Sequence, residues 1–358
     1  MLKVEGLNYS INSFSLKEIN FVVKDKECHI LMGPSGSGKT TLLECILGLK
    51  KINNGKVILN GIDITNKPTH KREIAYVPQD LGLFPHLNVY ENICYGAKIL
   101  NKFDKDFISH IIDAMELERL LKKRVSETSG GEKKRIALAR AMAMMPAVII
   151  LDEPLANLDK AIAEDILFFI KKLQKEFDQT LLYVTHNFDE AFFIGDVISV
   201  LIDGKLIQTS KKQELYFYPR SLSIANFLGI KNLFKGILKE ETEKELLVYL
   251  PDFLTSVKVL KRPKYPKFER EKPVYVGIRS DEVMYIREGR KKEFFDNILQ
   301  GYISEIYRME SLSKIIFKVN DIPIEITMPY GIIRKLNLKE GLFGEIMLKK
   351  ESLFIAEF

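Results

Sequence analysis

Three groups of residues in this sequence are typed and spaced for phosphate chemistry. The stretch Gly33-Pro34-Ser35-Gly36-Ser37-Gly38-Lys39-Thr40 fits the pattern G-x-x-x-x-G-K-[ST]. Its glycines let successive N–H groups turn toward phosphate oxygens, and a helix starting there adds a favourable dipole. Lys39 would meet the β- and γ-phosphates of a nucleoside triphosphate as a point charge. The Thr40 hydroxyl would ligate Mg²⁺, with Thr41 next to it on the phosphates. The second group is Asp152-Glu153, two carboxylates closing the apolar run Val148-Ile149-Ile150-Leu151. An aspartate there can hold Mg²⁺ through water, and the next carboxylate can polarise an attacking water. Ionised acids at the end of a buried strand are costly without a cation, which argues for chemistry. The third group is Gln79 and His186, each ending an apolar run (Ile74 to Val77, and Thr180 to Thr185). A neutral amide can touch Mg²⁺ or water and report nucleotide state, and a histidine can sit on the γ-phosphate.

The elements that must hold these groups can be read around them. Cys28 to Met32 predicts a buried strand, and Thr41 to Leu47 a helix ending at Gly48. Further apolar runs at 74–77, 148–151 and 180–185 predict buried parallel strands, whose carboxyl ends are where α/β sheets place ligands. Residues 2–23 predict antiparallel strands with one wet face. An aromatic from this part could stack on a nucleotide base, Tyr9 or, in its place, Phe14. Asn60-Gly61 and Asp203-Gly204 are hairpin signals. Asp80 to Leu87 predicts a loop, and a helical pattern begins at Asn88. Apolar stripes run Phe107, Ile108, Ile111, Ile112, Met115 in one helix and Ile162, Ile166, Phe169, Leu173, Phe177 in another. Thr128-Ser129-Gly130-Gly131-Glu132 contains an S-x-x-E capping box with Ser129 as N-cap. It leaves Gly130 and Gly131 with bare N–H groups at a positive helix end, a second place to receive phosphate.

Composition narrows the rest. The 358 residues suffice for about two domains at ~100–200 residues each. Basic residues number 54 and acidic ones 48, and a net charge of +6 is too mild to argue for nucleic acid. Cys28, Cys45 and Cys94 form no C-x-x-C pair, which suits a reducing cytosol and no cysteine metal site. No signal core and no run of ~18 apolar residues is present, so a soluble chain that reaches a membrane only through a partner is expected. The basic run from Lys261 to Lys272 reads as a solvated loop, because prolines and nearby Glu269 and Glu271 interrupt it.

The final third repeats itself. Asn232-Leu233-Phe234-Lys235-Gly236-Ile237-Leu238 returns 65 residues later as Asn297-Ile298-Leu299-Gln300-Gly301-Tyr302-Ile303. Alternating strands lie between, as in Lys314 to Val319 and Pro323 to Thr327, so two small barrels or one composite barrel are expected. Closing a barrel hides strand edges. The domain boundary falls between about 211 and 231.

Together these motifs resemble the ATP-binding subunits of ABC transporters over residues 1 to about 230. Gly33 to Thr41 is similar to the Walker A loop, Gln79 to the Q-loop and 128–141 to the family signature. Residues 148–154 are similar to Walker B, 156–159 to the D-loop with Asp159, and Thr185-His186 to the switch histidine. Thr128, Glu132 and Ala156 depart from the usual leucine, glutamine and serine. The resemblance implies an α/β fold: a P-loop NTPase with a mixed sheet and an inserted helical subdomain at about 84–140. It implies a head-to-tail homodimer in which Ser129, Gly130, Gly131 and Glu132 meet ATP held by the other copy. ATP hydrolysis with Mg²⁺ at Thr40, Gln79 and Asp152 would use Glu153 and His186. Residues 80–95 would contact integral membrane permease subunits at the cytoplasmic face, with an extracytoplasmic solute-binding protein as an indirect partner and no nucleic acid.

Residues 231–358 resemble the TOBE and molybdate-binding regulatory domains of importers, implying a small all-β, OB-like barrel domain. The cargo implied first is an oxyanion: molybdate, tungstate or sulfate. Asp296 and Lys349-Lys350-Glu351-Ser352 depart from the small residues that line oxyanion pockets. Ferric iron, polyamine and sugar importers share the architecture. A non-transport ABC ATPase acting on nucleic acid is the remote alternative, and the 90 residues from Lys39 to Ser129 are too few for its coiled-coil arm.

Overall fold

A computed structural model describes residues 1–262, 265, 270–287 and 296–356. The chain divides into two units, Met1–Lys212 and Gln213–Phe358. The expected division at 230/231 lies later. The observed line comes earlier because Ala225 and Ile230 join a small apolar cluster with Phe354 and Ala356.

The first unit opens with the strands β1 (Leu2–Ile11) and β2 (Phe14–Val23), then β3 (Cys28–Met32) and helix α1 (Lys39–Leu47). Next come β4 (Asn54–Leu59), β5 (Ile62–Asp63), β6 (Ile74–Val77), α2 (Val89–Ile99), α3 (Lys105–Ala114) and α4 (Gly130–Ala143). The unit ends with β7 (Val148–Asp152), α5 (Lys160–Glu176), β8 (Leu181–Thr185), α6 (Phe188–Ile194), β9 (Val197–Ile202) and β10 (Lys205–Lys211). A six-stranded sheet has the order β10-β9-β3-β8-β7-β6. Its four pairings from β9 to β6 are parallel, and β10 returns antiparallel on β9. β3, β7 and β8 are buried at every residue, as continuous apolar runs in a two-sided parallel sheet require. A second, antiparallel sheet has the order β2-β1-β4-β5. Leu42, Leu43 and Ile46 of α1 share one core with Leu2, Val4 and Ile19 of that sheet and with Val148, Ile150 and Val184 of the other. Burial on both sides therefore holds α1 between the two sheets.

Local chemistry sets the ends. Asn60 and Gly61 both take positive φ (50° and 79°), as do Asp203 and Gly204 (46° and 71°), and each pair turns a hairpin. Asn88 caps α2 in a box with Glu91, at 2.8 and 2.9 Å. In α3, Ile108, Ile111 and Ile112 are buried, with Met115 just beyond. The α5 stripe differs from expectation. Ile166, Leu167, Ile170 and Leu173 are buried, but Ile162 is exposed, because it lies over Gly131 in the first turn of α4 rather than on the core.

The second unit contains α7 (Lys212–Phe217, mostly in this unit), α8 (Leu222–Phe227), β11 (Asn232–Glu241), β12 (Glu245–Leu250), β13 (Thr255–Leu260), β14 (Pro273–Ile278) and β15 (Val283–Ile286). It continues with β16 (Ile298–Arg308), β17 (Leu312–Val319), β18 (Ile322–Pro329), α9 (Tyr330–Leu336), β19 (Phe343–Leu348) and β20 (Phe354–Ala356). Two antiparallel sheets, β13-β12-β11-β14-β20 and β18-β17-β16-β19-β15, share one core. The orders match strand for strand, and the last strand of each repeat completes the sheet of the other. The echoed asparagines act across the same relation. Asn232 exchanges hydrogen bonds with the main chain of Glu325 in β18 (2.7 and 2.8 Å), and Asn297 does so with Lys258 in β13 (2.7 and 2.8 Å). The repeats thus form one composite body.

Candidate functional site

The phosphate loop leaves β3 at Met32 and enters α1 at Lys39. Gly38 is the N-cap, with φ 101° and no side chain to satisfy the first N–H groups. A β-carbon at Gly38 would come within 2.3 Å of the Phe14 ring, so only glycine lets that aromatic close on the loop. The Lys39 ammonium, largely buried, donates to the carbonyls of Gly33 (2.9 Å) and Pro34 (3.1 Å). Burial lowers its pKa, and Glu153 and Asp152 oppose that shift. The buried Ser37 hydroxyl has no hydrogen-bond partner among the described residues. A cleft of about 410 Å³ is lined by Phe14, Ser35, Gly36, Gly38, Lys39, Thr40, Thr41 and Glu153.

Asp152 ends β7, buried beside the Tyr76 hydroxyl, which donates to its Oδ2 at 3.1 Å. Burial raises the Asp152 pKa, the Tyr76 bond lowers it, and neighbouring Glu153 raises it further. Burial likewise pushes the Tyr76 phenol up, with the Asp152 charge adding to it. Glu153 has φ 45°, a left-handed conformation that a glutamate resists. Its N–H is tied to Val184 O on β8 (3.0 Å), and its Oε1 lies 3.1 Å from His186 Nδ1. The turn that presents His186 is braced from below. Glu190 accepts from the hydroxyls of Tyr183 (3.0 Å) and Thr185 (2.9 Å). A second cleft of about 840 Å³ shares Glu153 with the first. Gln79, Ala156, Asn157, Leu158 and His186 also line it.

Residues far apart in sequence, Lys39, Glu153, Gln79 and His186, therefore meet at the carboxyl edge of one sheet. Thr40 opens on the first cleft, and Gly33 and Pro34 act through their carbonyls. Asp159 stands at the N-cap of α5 but makes no side-chain cap bond. Ser129 caps α4 in the expected box: its Oγ accepts from the Glu132 N–H (3.2 Å), and Glu132 accepts from the Ser129 N–H (2.7 Å). This capping bond is the main reason the Glu132 pKa falls. Ser129, Gly130 and Gly131 line neither cleft. Within one chain the glycine-led ends of α1 and α4 do not share a cleft.

One expectation is corrected. Tyr9 is a core residue, packed in the cluster of the first sheet with Lys50 over its ring at 5.8 Å. It is absent from the phosphate cleft, whose aromatic wall is Phe14. Strand register decides this: Tyr9 pairs with Leu16 inside the sheet, whereas Phe14 starts β2 at the turn. Tyr76 and Glu190 were not signalled by the sequence. Tyr76 belongs to a strand read only for its apolar residues, and Glu190 acts through its spacing of five from Thr185.

In the second unit, Lys350 lies at 2.7 Å from Glu245 and 3.4 Å from Asp296, so its charge is answered by two carboxylates. In the basic run, Lys261 pairs with Glu241 (2.6 Å), and Arg262 lies over Tyr218 at 4.2 Å. Pro263, Lys264 and residues 266–269 of that run are outside the described residues. No described helix is long and apolar enough to cross a membrane.

Comparison with known proteins agrees with this arrangement. Residues 16–156 match the family model described as ABC transporter. The chain is 33% identical over 346 residues to the molybdate/tungstate import ATP-binding protein WtpC of Pyrococcus horikoshii, covering 95% of each chain. It is 32% identical over 310 residues to the Fe(3+) ions import ATP-binding protein FbpC of Vibrio cholerae, covering 85% of this chain and 84% of that one. Among solved structures, the dimeric post-hydrolysis state of an ATP-binding cassette bound to ADP and Pi is 31% identical with a TM-score of 0.52. That match covers 59% of this chain and 99% of the cassette.

Proposed function

The chain belongs to the ATP-binding subunits of ABC importers, and from that premise we propose that residues 1–230 hydrolyse ATP to drive uptake of an oxyanion, molybdate or tungstate first, with residues 231–358 regulating it. It is an ATPase coupled to transport. The observation that carries the catalytic reading is the meeting of Glu153, His186 and Lys39 at one sheet edge, with Glu153 shared by both clefts.

The roles follow from position. The uncapped N–H groups of α1 and the Lys39 ammonium bind the phosphates, and Phe14 covers the adenine end. Glu153, held in place by Val184 and His186, accepts a proton from the attacking water. His186 then holds the γ-phosphate, and Gln79 senses it. Among the described residues, no group of three or more His, Cys, Asp or Glu is set to hold a metal alone. Thr40, Gln79 and Asp152 would hold a Mg²⁺, an all-oxygen set that suits it. Burial of Asp152 beside Glu153 fits such an ion, since a cation relieves both charges. When bound, Mg²⁺ neutralises developing phosphate charge.

Ser129, Gly130 and Gly131 lie outside both clefts, and this supports a head-to-tail homodimer in which each signature end completes the other copy's chamber. The relative solved as a dimer supports the same reading. The partners are permease subunits at the cytoplasmic membrane face, and a solute-binding protein indirectly. The likeness to WtpC over 95% of both chains supports the oxyanion. A ferric iron importer is the second reading, favoured by the likeness to FbpC.

Glu153→Gln tests the catalytic role. ATP affinity should stay within about 2-fold while single-turnover hydrolysis slows by ~10²-fold or more. An unchanged single-turnover rate would remove Glu153 from the mechanism. Permease vesicles energised by this chain should take up labelled tungstate. Uptake of ferric iron alone would select the second reading.

A further inference from the structure

Helix α4 carries two cations that the hydrolytic roles above leave unused. Lys134 is buried, and its Nζ donates to the carbonyls of Pro154 and, at 3.1 Å, Ala156. Arg140 donates from Nη1 to Gly82 O and from Nη2 to Leu81 O, both at 2.7 Å, and lies over the Phe84 ring at 5.4 Å. Six residues of helix turn these side chains to different sides, so one helix reaches two loops.

Each loop leaves a residue with a proposed role at the γ-phosphate. Pro154 and Ala156 follow Glu153, and Leu81 and Gly82 follow Gln79. Both loops are bent through the left-handed region. Glu153 (φ 45°) and Asn157 (φ 62°) bracket the first, and Leu81 (φ 66°) and Gly82 (φ 52°) make the second. Glu153 and Leu81 carry side chains that disfavour this region, and such bends persist only where neighbours over-determine them. A charged donor on two carbonyls supplies that constraint, and a guanidinium fork on consecutive carbonyls fixes a loop in two directions. Burial lowers the pKa of Lys134, with Glu190 opposing, and lowers that of Arg140. Both cations are partly desolvated where they grip main chain.

We propose that Lys134 and Arg140 are positioning residues that make α4 a common strut for the Gln79 and Glu153 loops. Contact of a partner's nucleotide with the Ser129–Gly131 end of α4 then sets the geometry of this chain's own hydrolytic carboxylate. The inference rests on the ATPase reading above. It adds a physical route by which one chamber reports to the other through a single helix within one copy.

The test uses full-length Lys134→Met and Arg140→Gln. Affinity for a fluorescent ATP analogue should stay within about 2-fold, because neither residue touches the Lys39 loop. The kcat should fall about 10-fold or more with little change in KM, and the Hill coefficient for ATP should drop toward 1. Arg140→Lys keeps the charge but loses the fork, and it should recover less than half of the lost rate. Folded variants with the parent's kcat and cooperativity would overturn the proposal. Should a variant fail to fold, hydrogen exchange on the unmodified chain decides. On titration with ATP and Mg²⁺, amides at 81–84 and 155–157 should gain protection at the same nucleotide concentration as those at 129–133. Independent transitions would overturn the strut. An unmodified chain that neither binds nor hydrolyses ATP would instead sink the functional reading beneath it.

Discussion

α1 and α4 both begin at glycine-rich turns, yet they treat their free N–H groups in opposite ways. α1 starts at Gly38 with no capping side chain and no acid in its first turn. α4 starts at Ser129 with a reciprocal box to Glu132, so one of its donors is answered from within. An uncapped helix end is incomplete until an anion arrives. A capped end is stable by itself, and its two leading glycines offer a surface that a phosphate can approach and leave. The difference suits a loop that retains nucleotide and a second end that engages it only when another copy closes.

The largest expected effects separate the two ends. Lys39→Ala should weaken ATP binding to the isolated chain by about 100-fold or more, measured by calorimetry. Gly130→Glu should leave that affinity within about 2-fold while hydrolysis falls by a similar 100-fold. An acid suits a helix N-terminus but repels a phosphate brought to it. Equal losses of affinity in both variants would erase the contrast.

Next in size is the aromatic pair. Phe14→Ala should weaken ATP binding by about 10-fold with little effect on folding. Tyr9→Ala should cost about 3 kcal/mol of stability by denaturant melt, with affinity kept in the fraction that folds. The reverse pattern would restore Tyr9 as the base platform.

The sequence made much of this site legible, and the reasons are local. The 33–40 loop, the Ser129 box and the acids after Ile150-Leu151 are each fixed by neighbours within a few residues, so type and spacing carried them. Phe14 and Tyr9 were indistinguishable because the answer lies in how far along the paired strands each falls, Tyr9 inside the sheet and Phe14 at the turn. Lys134 and Arg140 read as ordinary charges on a helix, since their acceptors are main-chain carbonyls about 20 and 60 residues away. Main-chain acceptors leave no trace in side-chain patterns. The α5 stripe was misplaced at Ile162 for a related reason: a helix neighbour, not the sheet, covers its first turn. In the second unit the repeat was visible, but the trading of its last strands was not, because pairing partners are set by topology.

A smaller effect probes Asp152 at the α1 end. Its folded pKa lies above the ordinary aspartate value of 3.8, mainly through burial. A raised value means the folded state holds its proton more tightly. The associated stability is therefore full below pH 3.8 and is lost as pH rises through the folded value. Without nucleotide, Asp152→Asn should thus melt a few degrees above the parent at neutral pH, and the gap should close toward pH 3.8. ATP with Mg²⁺ should reverse the order. A gap independent of pH would assign the effect to packing. The smallest expectation is at the α4 end, where Ser129→Ala should cost about 1 kcal/mol of stability through the lost cap, read by chemical denaturation. No loss would mean Glu132 alone secures that end.

The traded strands β15 and β20 carry a consequence for inheritance. Each repeat, taken singly, would present a sheet lacking its terminal member and an asparagine with nothing to clasp. Such a half exposes a raw edge that invites clumping. Loss of either half would therefore leave the other half incomplete. A protease that severs the connection between β15 and β16 would leave two fragments still interlocked, like clasped hands.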